Sequence, residues 1–135
     1  MTAALTGCLD GPHSDEHTAA VAGLAAEAVR FVNYATGPHS SAGLAYPATA
    51  YAVTGSLALA AFRLGQCFAQ VTDFLDRELA AGRLRDDSGC HPLLPVERAR
   101  RDLDHAAAAA CALNAALTAA QNELAGLYQS TGRAR

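Results

Sequence analysis

The chain has 135 residues, 51% of them apolar, with only 6% aromatic and no Trp; this is enough to bury about two thirds of the unfolded surface as one domain without a disulfide or metal. A net charge of −3, with acids and bases interleaved, leaves no electrostatic footprint for nucleic acid or for an anionic membrane. All ten basic residues are Arg, which excludes the P-loop lysine, the Schiff-base lysine and the Ser-x-x-Lys nucleophile pair.

The opening "MTAALTGCLDGPHSDEH" has no basic stretch followed by a long apolar core, so no signal peptide is read and a cytoplasmic location is expected. Residues 1–13 are expected to form a flexible tail, residues 14–130 a single helical-bundle domain, and residues 131–135 a second tail. The first helix should begin near Ser14, a capping residue followed by Asp15 and Glu16 where the helix dipole favours acids, and stop at Gly37-Pro38. Val21, Leu24, Ala28, Phe31, Val32 and Ala35 give it an apolar stripe. Residues 31–62 contain no Asp, Glu or Arg, but "GPHSSAG" and then Pro47, Thr49, Thr54, Gly55 and Ser56 interrupt the run, so no membrane span is predicted.

The second helix should open at Pro47, a residue suited to a first helical position, and reach Gly82, burying Val53, Leu57, Ala61, Leu64, Phe68, Val71, Leu75 and Leu79. The third should run from near Pro95 to about Tyr128. Five heptads place Val96, Leu103, Ala110, Leu117 and Leu124 at one core position and Ala99, Ala106, Leu113, Ala120 and Leu127 at the other. The connection "RLRDDSGCHPLL" is short enough to return the chain alongside itself, giving a long antiparallel hairpin. The chain is alanine-rich, 33 residues in all, and "DHAAAAACALNAALTAAQN" has almost no polar face. A helix of that kind has neighbours on more than one side, with the first helix or a second subunit as the candidates.

Off the main stripe of the second helix, Tyr51, Gly55, Leu59 and Phe62 form another apolar patch beside a polar line of Ser56, Arg63, Gln70 and Arg77, and Phe74 falls on that line. Tyr51, Leu59, Phe62 and Phe74 are therefore the candidate interface residues, since soluble monomers seldom expose large apolar patches. Candidate metal ligands are Cys8, His13 and His17 in the N-terminal run and Cys90 and His91 in the linker. No spacing diagnostic of zinc joins them, and no cofactor is assigned. Cys8, Cys67, Cys90 and Cys111 form no C-x-x-C pair and are read as reduced thiols; Cys67 and Cys111 should be shielded, Cys8 and Cys90 reactive.

In "ERARRDLD", Glu97 and Arg101, Arg98 and Asp102, and Arg100 and Asp104 stand four apart, the arrangement of a solvated face and not of an anion site. Asp73, Asp76 and Glu78 have no His at the spacing of a di-iron bundle. The length and hairpin are similar to those of the small secreted proteins with a Trp-x-Gly turn. Without Trp, and without a Tyr-x-x-x-acid signal in "LYQSTGRAR", the chain departs from both motifs of that family. The reading is an all-α fold, a self-associating three-helix bundle built on a long antiparallel helical hairpin. It predicts a non-catalytic interaction or scaffold module, working as a homodimer or with a protein partner and without nucleic acid or membrane. The alternative is a small-molecule- or metal-binding bundle.

Overall fold

The structure, a computed structural model, describes residues 13–39 and 42–129. It is all-α, with three helices and no strand among the described residues: α1 (Asp15–Thr36), α2 (Pro47–Ala80) and α3 (Leu93–Leu124). The chain divides into two compact units, one ending at Ala45 and the other beginning at Tyr46.

In the first unit, Ser14 is the N-cap of α1. Its hydroxyl oxygen accepts from the His17 N–H at 3.1 Å, satisfying one of the free donors at the start of the helix. Gly37 ends the helix by donating to the Tyr34 carbonyl, and Pro38 follows. No residue of α1 is buried; Leu24 and Phe31, from the predicted stripe, are exposed.

In the second unit α2 and α3 pack closely as an antiparallel hairpin, each helix about 50 Å long at 1.5 Å per residue. Pro47 takes the first position of α2, as its fixed φ and missing N–H suit it to do. The other end closes through Gly82, in the left-handed region at φ +66. The Gly82 N–H donates to the Leu79 carbonyl and the Arg83 N–H to the Glu78 carbonyl, the paired bonds that glycine permits after a helix. Arg83 then grips the Glu78 carboxylate with two bonds of 2.7 and 2.6 Å. That bond holds the Glu78 carboxyl below its ordinary pKa. Donation from the Ser88 N–H and hydroxyl to Asp86 does the same there.

Two helix boundaries differ from the sequence expectation. α3 begins at Leu93, with Pro95 inside the first turn where its missing N–H costs nothing, and it ends at Leu124, four residues before Tyr128.

The packing stripes differ in a more consequential way. In α2 the residues facing α3 are Thr54, Ala58, Ala61, Gly65, Phe68, Thr72, Leu75 and Leu79, all buried or half-buried. At 100° per residue they fill one arc about 100° wide, rotated by about 50° from the predicted stripe. Leu64 and Val71 are exposed, Val53 and Leu57 stay half-buried at the edge of the seam, and Thr54, Ala58, Gly65 and Thr72 enter it. In α3, Val96, Leu103, Ala110, Leu117 and Leu124 face inward as predicted, and Ala99 and Ala106 are half-buried, but Leu113, Ala120 and Leu127 are exposed, while Ala107, Asn114 and Gln121 turn in.

Both corrections have a physical cause. Residues without bulk let two backbones approach to the short end of the usual separation, so alanine and glycine, not leucine, choose the contact face. A helix of 3.6 residues per turn also drifts about 20° per heptad away from a strict seven-residue repeat, which over five heptads shifts the stripe by a full position. The buried core is accordingly Ala58, Ala61, Val96 and Ala110, with no large side chain fully enclosed.

Candidate protein interface

Two contacts between the helices mark one flank of the hairpin. Near its open end, Gly55 lies against the Gln121 carboxamide, whose nitrogen donates to the Tyr51 carbonyl at 3.5 Å; a Cβ at Gly55 would overlap that amide. Toward the linker, Arg100 reaches across to Asp76 at 3.4 Å. This replaces the predicted Arg100–Asp104 pair. Neither Glu97–Arg101 nor Arg98–Asp102 forms within 4 Å, and Arg101 instead meets its neighbour Asp102 at 3.5 Å. A cross-helix partner outcompetes a local one because Arg100 sits on the side of α3 that turns toward α2.

This flank therefore carries Gln121, Asp76 and Arg100, and helical spacing adds Asn114 and Thr118 to it. Tyr51 and Phe62 belong to the same flank, Phe62 at 69% exposure, with Leu59 farther round the back of α2, also exposed. The four interface candidates are thus not one patch: Arg63, Gln70 and Arg77 separate Tyr51, Leu59 and Phe62 from Phe74.

The opposite flank is apolar. Along α2 run Val53, Leu57, Ala60, Leu64, Cys67, Val71 and Phe74, alternating by fours and threes without a charge. Along α3, on the same side, run Ala106, Ala109, Leu113, Ala116 and Ala120. Leu64, Val71, Phe74 and Leu113 are 41%, 43%, 49% and 49% exposed. These are large side chains that the hairpin seam does not take up. Only Phe74 of this set was among the interface candidates; Leu64, Val71 and Leu113 were expected in the core.

Cys67 and Cys111 are both exposed, correcting the expectation that they are shielded. Cys67 stands on the apolar flank and Cys111 on the polar one, each well outside the arc that faces the partner helix. Cys90 is exposed as predicted. Among the metal candidates, Cys8 lies outside the described residues. His13 and His17 bring their rings to 5.9 Å between centroids at the start of α1. His91 uses its Nδ1 to accept from the Leu93 N–H at 3.2 Å, capping α3. Among the described residues no three His, Cys, Asp or Glu side chains gather as a metal set.

At the linker end of the hairpin Leu75, Leu84, Pro92, Pro95, Val96 and Ala99 floor an open cleft of about 430 Å³ rimmed by Arg85, Asp86 and Asp87. A stretch of α2 is also apolar and long enough, at mean hydropathy 1.2, to cross a membrane by composition alone. Set against known proteins, the chain matches no family model, no curated protein and no solved structure.

Proposed function

We propose that the chain is a non-catalytic association module whose hairpin presents its apolar flank to another protein chain. The observation that carries this reading is the exposure of Leu64, Val71, Phe74 and Leu113 along one side of a hairpin whose own core is three alanines and one valine. Two helices packed through one seam leave their other faces open, and contiguous apolar surface of this extent marks an interaction site in a soluble protein. No charge stands among these residues, so a covering surface would lose no ionic hydration from them.

The reading places the chain in the cytoplasm without nucleic acid or membrane. Interleaved charge supports it, as do Arg63, Gln66 and Gln70, which put polar groups into the middle of α2. A photo-crosslinking amino acid in place of Leu64, introduced in the native cell, should give a protein adduct, whereas the same group at Ala52, on the far side of α2, should not. Equal adduct yields at both positions would refute the reading.

The cleft beside Leu84 and Val96 favours a second reading, a small amphipathic ligand held at the hairpin end, because apolar floors with a few polar rim groups are the usual form of ligand sites. A ligand-induced rise in melting temperature that Val96→Trp abolishes would support it.

A further inference from the structure

Resting on that reading, we infer that the occupant of the apolar flank is a second copy of this chain, related by a twofold axis that crosses the flank at Leu64 and Leu113 and builds an antiparallel four-helix bundle. The stripes themselves are symmetric. When a surface packs on its own copy, each residue meets the one equally far on the other side of the axis. Reversed about Leu64, the α2 stripe pairs Leu57 with Val71, seven residues to either side, and to within one residue Ala60 with Cys67 and Val53 with Phe74: small with small, large with large. Reversed about Leu113, the α3 stripe pairs Ala106 with Ala120, seven residues to either side, and to within one residue Ala109 with Ala116.

Two independent centres could fall anywhere along a 50 Å hairpin. They fall together. The Gly55–Gln121 and Asp76–Arg100 contacts set the register of the two helices, and interpolating between them puts Leu113 at the height of Arg63, one residue from Leu64. One axis therefore serves both helices, α2 lying antiparallel on α2 of the partner and α3 on α3. Beside the α2 stripe Arg63, one residue from the axis, comes opposite its own copy at the exposed rim, where its long side chain can swing into solvent. The surface is also large enough. A flank two helices wide, with an apolar stretch of about 30 Å, offers roughly 600–900 Å² per hairpin, against about 800 Å² per partner in a standard stable interface.

The test uses the full chain with Cys8, Cys67, Cys90 and Cys111 each replaced by Ser, and a short bismaleimide as crosslinker. Leu64→Cys and Leu113→Cys should each give a band of twice the chain mass, and Leu59→Cys should give less than a tenth of that yield. In parallel, Leu64→Glu should reduce the native mass to one chain while helical circular dichroism is retained, and Phe62→Glu should leave the dimer intact. A dimer that crosslinks through Leu59→Cys, or dissociates with Phe62→Glu and not with Leu64→Glu, would overturn the axis while leaving the association reading standing. A purified monomer at every concentration that nevertheless gives adducts from position 64 in the cell would replace the second copy with a different chain. A monomer without such adducts would remove both.

Discussion

Ala61→Leu should destabilise the hairpin although it adds apolar surface. Ala61 is 3% exposed at the seam, flanked by Ala58 at 5%, and Ala110 of α3 is 6% exposed. Three added carbons, at about 0.8 kcal/mol each, would contribute roughly 2.4 kcal/mol if there were space for them. There is none while the helices stay close, and opening the seam toward a 10 Å separation strips contacts from Ala58, Gly65 and Thr72, whose side chains are too short to follow. The net expectation is a loss of about 1–3 kcal/mol, as for other overpacked cores. Urea denaturation followed by helical circular dichroism, at one fixed protein concentration, should show the midpoint falling by roughly 1 M for a slope of 1–3 kcal/mol/M. Ala52→Leu, on the outer face, should leave it in place. If Ala61→Leu matches or exceeds the parent in stability, the small-residue seam is wrong.

Gly65→Ala should stabilise the chain by about 1 kcal/mol in the same assay, because its Cβ meets nothing within 4 Å and glycine costs about that much inside a helix. Gly55→Ala should gain less, since the Gln121 amide must first move away. Leu117→Asp puts a charge into the seam and should cost about 2–4 kcal/mol, read as a fall in melting temperature; a parental melt would remove Leu117 from the seam. Thiol labelling should modify Cys90 and Cys111 quickly in the wild type and Cys67 slowly, with Cys67 becoming fast in Leu64→Glu; a Cys67 that is fast in both would mean that nothing covers the apolar flank. Glu78 and Asp86 have lowered pKa values, so the bonds that stabilise the hairpin end persist above the ordinary carboxylate range and are lost as pH falls through it. Amide exchange over residues 82–89 should accelerate below about pH 4, and a rate ratio to α2 that stays constant there would contradict this.

The features that depend on neighbours in sequence were legible in the sequence alone: three helices, the Ser14 cap, Pro47 as a first residue and a glycine past the end of α2. Features that depend on the distance between helices were not. Hydrophobicity weights Leu64 and Val71 as core, yet it is the absence of bulk at Ala58 and Ala61 that decides which face comes close. A strict heptad predicts Leu113 inside, whereas the drift of a 3.6-residue helix carries it out and brings Asn114 in. The alanine segment lacks a polar face, so which of its sides turns toward α2 needed the cross-helix contacts of Arg100 and Gln121. For the same reason the proposed interface moves from Phe62, the most exposed of the candidate aromatics on α2, to the flank that includes Phe74.

Light scattering on the purified chain, from micromolar to hundreds of micromolar, tests the central claim most directly. A mass near twice 13.9 kDa is expected for the wild type and for Phe62→Glu, and near 13.9 kDa for a still-helical Leu64→Glu. A wild type that remains at the mass of one chain over the whole range would contradict it.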